Sequence, residues 1–233
     1  GIGLRPVEGL LDEGDLDALI TAMMDRGGRI SWRSLDDGVT RPYEINISLY
    51  DAMAGTLEGP DQWQFQRFVC AHAIMLALEG LPGIYIHSML GTRNDLNRME
   101  HSGHNRHINR HQWDADALQA RLAQEDDPHR RVLDRLQSLI TLRQRQKAFH
   151  PNATQFTLHL GDSVFGFWRQ SIDRSQSIFC INNISAQPQQ VLLSDINLIE
   201  TDQWRDIISG DPITPEVEAL DLQPYQSVWL SNN

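Results

Sequence analysis

The amino-acid sequence predicts a mixed α/β segment over residues 1–150 followed by a small all-β module over residues 151–233, and three observations predict it. Before about residue 150 the apolar residues recur at helical spacing, and after it they alternate in short runs separated by turn residues. A glycine-bounded apolar run, Gly83-Ile84-Tyr85-Ile86-His87-Ser88-Met89-Leu90-Gly91, sits between two of the helical patterns. Five alternating runs follow Thr154.

The elements follow in order. Leu16, Leu19, Ile20 and Met23 share one helix face, and Gly27-Gly28 ends that helix because glycine takes the left-handed cap conformation without a Cβ clash. A second helix starts near Pro60-Asp61 and runs to Glu79, with Phe65, Phe68, Val69, Ala73 and Leu76 inward and Gly80 as its stop. The run 83–91 then suits a fully buried strand of a parallel sheet. After a long polar loop, Asp127-Pro128 opens a third helix whose core stripe is Val132, Leu133, Leu136, Leu139 and Ile140, and Pro151 ends the pattern. Between helices one and two, residues 40–46 read as a loop. Helix, strand, loop, helix is a piece of a repeating βα architecture, whose parallel sheet needs further strands on both sides. The segments Gln155–Leu160, Val164–Gln170, Gln176–Asn182, Gln190–Leu193 and Ser227–Leu230 read as antiparallel strands of a sandwich or barrel, with turns at Gly161-Asp162 and Ile172–Ser175.

Composition narrows the function classes. A net charge of −11 argues against a nucleic-acid or anionic-membrane surface, since the long-range field repels phosphate, so an anion must meet a local basic pocket. No stretch approaches the roughly 18 consecutive apolar residues of a membrane span. Cys70 and Cys180 lie far apart in apolar surroundings and read as buried reduced thiols, which suits the cytoplasm. The start, lacking a Met and a signal-like n-region, reads as an interior point of a longer chain.

Two polar groups are candidates for chemistry. Residues 91–98 and 101–111 carry four arginines and four histidines just after the expected strand, at the end that faces the active site in a (β/α)8 barrel. They suit hydrogen bonding to sugar hydroxyls, a carboxylate or a phosphate. They equally suit a solvated loop whose charges pair with nearby carboxylates. His101, His104, His107 and His111 match no zinc spacing, so a metal site is set aside. The second group, Thr40-Arg41-Pro42-Tyr43-Glu44-Ile45-Asn46, is open between a sugar contact and a surface turn. Retaining glycoside chemistry needs two carboxyl groups roughly 5–5.5 Å apart. Of Glu8, Glu44, Glu58, Glu79, Asp95 and Glu100, only Asp95 falls at the end of an expected barrel strand, so no catalytic pair is expected in this chain.

Several motifs, in order along the chain, resemble glycoside hydrolase family 13, within it the sucrose-phosphorylase-like subgroup. Gly1-Ile2-Gly3-Leu4-Arg5-Pro6 resembles the segment after that family's His-Asp pair at barrel strand seven. Tyr43-Glu44-Ile45-Asn46 resembles the Tyr-Gln-Val-Asn of the mobile acceptor loop. Gly80-Leu81-Pro82-Gly83-Ile84-Tyr85-Ile86 is similar to the approach to strand eight, and Asn105-Arg106-His107-Ile108-Asn109-Arg110-His111 to the Gly-Arg-Asp-Ile-Asn-Arg-His after it. Leu222–Leu230 resembles the closing strand of the β-domain.

The resemblance implies the last units of a (β/α)8 TIM barrel with the acceptor loop, then a C-terminal β-domain. It implies part of a retaining phosphorylase that moves a glucosyl group from an α-glucoside, of glucosylglycerate or sucrose type, to phosphate, giving α-glucose 1-phosphate. The nucleophile, the acid/base and the transition-state aspartate would then lie upstream of Gly1, leaving the fragment inactive by itself. Arg106 matches the arginine that holds the glucosyl ring, and Tyr43 and Glu44 match acceptor and phosphate-loop positions. Arg41 stands where the family carries an acidic residue, Glu44 replaces glutamine, His107 replaces aspartate, and Arg5-Pro6 also departs from the sucrose-specific pattern. Exchanging acidic for basic groups favours an anionic acceptor. No cofactor is implied beyond inorganic phosphate as co-substrate, and the partners are a small carbohydrate, phosphate and the N-terminal part of the same enzyme. Hydrolysis or transglycosylation without phosphate shares every residue named. A non-catalytic carbohydrate-binding module is the reading from another class, with Trp168, Trp204 and Trp229 as its platform, against which their strand positions favour core burial. An open piece of a parallel barrel exposes sheet edges, so stability is expected only with the missing part present, with a swap between copies, or with self-association as a homodimer.

Overall fold

The computed structural model describes residues 2–34, 38–196, 204–214 and 216–232; Gly1 of the opening motif lies outside them. In chain order the elements are β1 (Ile2–Gly3), α1 (Glu13–Asp25), β2 (Arg29–Ser34), β3 (Thr40–Asn46), α2 (Leu49–Ala52), β4 (Gly55–Thr56), β5 (Gly59–Pro60), α3 (Gln64–Ala77), α4 (Ile86–Met89), α5 (Leu96–Ser102), α6 (Ala115–Leu122) and α7 (Pro128–Gln144). Then come β6 (Thr154–His159), β7 (Val164–Gln170), β8 (Ser177–Asn183), β9 (Gln189–Leu192), β10 (Arg205–Asp206), β11 (Ala219–Leu222) and β12 (Ser227–Ser231). Contacts divide the chain into two interleaved units, residues 1–65 with 84–133, and residues 66–83 with 134–233.

The first unit is built on an antiparallel sheet of order β1-β3-β2. Here the expected loop over 40–46 is corrected: it is strand β3, paired with β2 through Ile30↔Ile45 and Ser31↔Glu44. The register then shifts to Trp32↔Pro42 and Arg33↔Arg41, leaving Tyr43 as the extra residue of a bulge. Pro42 is tolerated because β1 pairs with β3 only at Ile45 and Glu44, so Pro42 has a strand neighbour on one side alone. One face of the sheet is apolar: Ile30 and Ile45 join Leu4, Ile20, Ile47 and Ala52 in a buried cluster that α1 covers through Leu16, Leu19 and Met23. The opposite face carries Ser31 and Glu44 in register.

The buried strand expected over 83–91 does not form. Among the described residues no strand lies beside it, and Ile86–Met89 closes into the single turn α4, with Tyr85 and Ile86 half or more exposed. A parallel strand owes its hydrogen bonds to its neighbours, and the described residues supply none there. The long polar loop after it is also more ordered than expected. Asp95 caps α5 by accepting the Arg98 amide at 2.9 Å, and Asp114 caps α6 by accepting the Ala117 amide at 2.9 Å.

The second unit is a β-module with two helical pieces packed on it. Its sheets are antiparallel, one of order β10-β12-β8-β7-β6 and one pairing β11 with β9. The core between them takes Val164, Phe179, Ile181, Val191, Leu220 and Leu230. Strands β10 and β11 are not among the expected segments, and two residues, as in β10, are too few to show an alternation. Phe68, Ala73 and Leu76 of α3 are buried, and Arg67 of the same helix stacks on the Tyr225 ring, 4.4 Å from its centroid. Arg169 is fully buried and makes no ion pair with a carboxylate among the described residues; it donates to the carbonyls of Ala77 (2.6 Å), His150 (3.0 Å) and Ala153 (3.3 Å), closing the end of α3 onto the chain entering β6. Burial pushes its guanidinium below its ordinary value. Both cysteines are free and buried. No helix among the described residues is long and apolar enough to cross a membrane.

Candidate functional site

The polar face of the β2–β3 hairpin meets the tight turn Asn105–Asn109. Arg106 donates from Nε to Oε2 of Glu44 at 3.0 Å, and the Glu44 carboxylate is mostly withdrawn from solvent while the arginine is half-exposed. The hydrogen bond and charge of Glu44, with a further bond to the Tyr43 hydroxyl, hold Arg106 even more firmly protonated than usual. Three bonds fix the turn: Asn105 Nδ2 donates to the Ile30 carbonyl at 3.4 Å, Asn109 Nδ2 to the Ile47 carbonyl at 3.4 Å, and the Asp95 amide to the Ile108 carbonyl at 2.7 Å. Ile108 is buried beneath it.

Four of the candidates therefore come together. Tyr43 and Glu44 on β3 meet Arg106, and His107 follows on the same turn. Desolvation, then the charges of Arg98, His104 and Arg110, push His107 below its ordinary value, so its ring is held neutral at pH 7. Arg41 stands apart, exposed and directly opposite Arg33 farther along the hairpin. Two like charges in register disfavour the pairing unless an anion lies near.

Asp95, weighed as a carboxylate, is a fastening group. Its Oδ2 meets His111 Nδ1 at 2.7 Å while Oδ1 caps α5. Partial burial by itself would raise its carboxyl; the Arg98 amide, His111 and the Arg98 charge outweigh that and hold it below the usual carboxylate range. A further network was not read from the sequence. Asp51 accepts from Arg93 Nη1 at 3.0 Å and from the Asn94 amide at 2.6 Å, and Asn94 accepts from the Ser48 amide at 2.7 Å. Its residues lie more than forty positions apart in sequence, and no local pattern announces it. Thr92 accepts from Trp113 Nε1 at 3.0 Å and meets His87 Nδ1 at 3.2 Å, beside a cavity of about 200 Å³ that Tyr85 and Asn109 also line. His101 bonds back to the Asn97 carbonyl of its own helix. Of the three tryptophans weighed as a sugar platform, Trp229 is fully buried and Trp168 packs against Phe179 in the core.

Comparison with known proteins adds the following. Residues 154–229 match the family described as Maltogenic Amylase, C-terminal domain. A glucosylglycerate phosphorylase of Escherichia coli (strain K12) is 35% identical over 231 residues, which is 99% of this chain and 39% of that protein. One from Spirochaeta thermophila is 32% identical over 240 residues, 99% of this chain and 40% of that protein. The chain thus spans well under half the length of the curated relatives it matches. The crystal structure of sucrose 6F-phosphate phosphorylase from Thermoanaerobacter thermosaccharolyticum superposes with a TM-score of 0.62 at 20% identity, over 76% of this chain and 33% of that one. At that identity the likeness speaks for the fold.

Proposed function

We propose that this chain, which belongs to glycoside hydrolase family 13, is the C-terminal part of a retaining glucoside phosphorylase acting on glucosylglycerate. The observation that carries this reading is the similarity along 99% of the chain to glucosylglycerate phosphorylases. The reaction transfers a glucosyl group to phosphate: the glucosidic C–O bond breaks, the acceptor leaves with a proton, and phosphate oxygen takes the anomeric carbon to give α-glucose 1-phosphate. The reacting carboxylates belong to residues outside this chain. Residues 1–150 contribute the last barrel units and the acceptor loop, and residues 151–233 the β-domain.

The hairpin and turn supply binding in this scheme. Arg106 is oriented by Glu44 and contacts the glucosyl ring, while Tyr43 and His107 face the acceptor side. Arg41, on the exposed reach of the hairpin, adds positive charge for an anionic acceptor. No cofactor takes part beyond phosphate itself. The two buried thiols support a reducing compartment, the cytoplasm. The apolar exposure at Tyr85 and Ile86 supports coverage by the rest of the polypeptide, with a homodimer as the alternative cover.

The test is a phosphorolysis assay on the full-length protein that contains this chain, scoring glucose 1-phosphate from glucosylglycerate, sucrose and sucrose 6-phosphate, with Arg106→Ala as control. Release from glucosylglycerate, lost in the variant, is the expected result. Release from sucrose alone sinks the anionic acceptor, and hydrolysis that ignores phosphate sinks the phosphorylase.

A further inference from the structure

The turn that carries Arg106 also walls a space of its own. Ser31, His104, Arg106, His107 and Arg110 line a cavity of about 440 Å³, and no carboxylate is among its lining residues. Glu44 pairs one for one with Arg106, so Arg110 is the surplus cation. The Arg110 guanidinium has no acceptor among the described residues, although its amide is bonded to the His107 carbonyl at 3.2 Å. Arg98 Nη1, on helix α5, and His107 Nδ1, on the turn, are both buried without a hydrogen-bond partner among the described residues.

A chain with net charge −11 has carboxylates to spare for neutralising Arg110, and none is bonded to it among the described residues. An ordinary basic loop disperses its cations in solvent. This one is fastened to the hairpin by Asn105 and Asn109 and to α5 by the Asp95 amide, so the backbone that carries the cations is held in place. A buried polar atom without a partner costs stability, and a ligand that supplies the partner recovers it. The guanidinium fork matches a planar carboxylate or a tetrahedral phosphate, and the polar lining gives an apolar ligand nothing to pack on.

We propose that this pocket binds a small oxyanion through Arg110, with the Ser31 hydroxyl and the His107 imidazole completing the set. Its chemistry is shared by two sources in the reaction proposed above, the carboxylate of the acceptor and inorganic phosphate; the assignment of source rests on that reading, whereas the pocket itself does not. Arg106 serves a different task, since its guanidinium is committed to Glu44 and Tyr43.

The experiment uses the full-length protein, with isothermal titration of inorganic phosphate and of D-glycerate into wild type, Arg110→Gln, Arg110→Lys and Ser31→Ala, and with KM measured for both anions. Arg110 is exposed, so Arg110→Gln is expected to keep the wild-type melting temperature. Loss of a charge-assisted hydrogen bond is expected to weaken one anion at least roughly tenfold. Arg110→Lys retains part of the affinity. Weakened phosphate with unchanged glycerate names phosphate as the ligand, and the reverse names the acceptor carboxylate. Both anions within twofold of wild type in Arg110→Gln and in Ser31→Ala overturn the pocket, even if the wild type releases glucose 1-phosphate. Conversely, anion binding that depends on Arg110 in a protein inactive on glucosylglycerate keeps the pocket and removes glucosylglycerate as the substrate.

Discussion

Asp95 shows how much one side chain can hold in this protein. Its carboxylate caps α5 and anchors His111, and its amide closes the turn at Ile108, so three separate stretches converge on one residue. Because its folded-state acidity lies below the ordinary carboxylate value, it contributes stability that is fully present above that value and is lost as pH falls through the lower, folded one. Asp173 and Asp127 are shifted the same way, the first by hydrogen bonds from Ser171 and Ser175, the second by Arg121 and the His129 amide against partial burial. Thermal melting followed from neutral pH down through roughly pH 4 is therefore expected to fall, and Asp95→Asn to fall less steeply from a lower starting point. Parallel acid limbs in the two proteins would mean that the His111 contact adds nothing.

At the scale of elements, the helices α1, α3 and α7 were legible because each buries a stripe at helical spacing and ends at a glycine or before a proline. Strands β6 to β9 and β12 were legible from alternation. The β2–β3 hairpin was not: Arg33, Arg41 and Pro42 interrupt any alternation, and its pairing is decided by the apolar contact of Ile30 and Ile45 across the strands. The candidate site shares that fate, since Glu44 and Arg106 are sixty-two residues apart and only the hairpin brings them together. The segment of α4 carries the apolar composition of a strand, and the glycine that bounds the run, Gly91, follows the turn directly. Gly91 has φ +54°, and a Cβ there would stand 3.0 Å from Val132 Cγ2. Gly91→Ala is expected to destabilise the first unit by about 2 kcal/mol, the left-handed conformation alone accounting for roughly 1–2 of it. Urea denaturation with an unchanged slope and a lowered midpoint is the check.

For the whole molecule, the decisive fact is apolar surface without cover. Tyr85 and Ile86 are 50% and 59% exposed in a segment whose composition belongs to a buried sheet. Two neighbouring apolar side chains left open in such a segment suit a surface that meets protein. Size-exclusion chromatography of the isolated chain is expected to give species larger than its 26.6 kDa, and co-expression with the remainder of the polypeptide to restore a single sharp peak. A monodisperse monomer of the chain alone would mean that the segment folds away in solution.

The burial of Trp229 has a practical side. Its indole is fully enclosed, edge-on to Phe149 at 4.9 Å between ring centroids, and its Nε1 has no hydrogen-bond partner among the described residues. An indole in such dry surroundings emits at short wavelength and is shielded from acrylamide, whereas Trp32 on the hairpin is 58% exposed and emits red-shifted, quenchable light. With Trp63, Trp113, Trp168 and Trp204 replaced by phenylalanine, the two remaining tryptophans label the two units with different colours, and a fluorescence spectrum recorded during unfolding follows the β-module and the hairpin as separate signals.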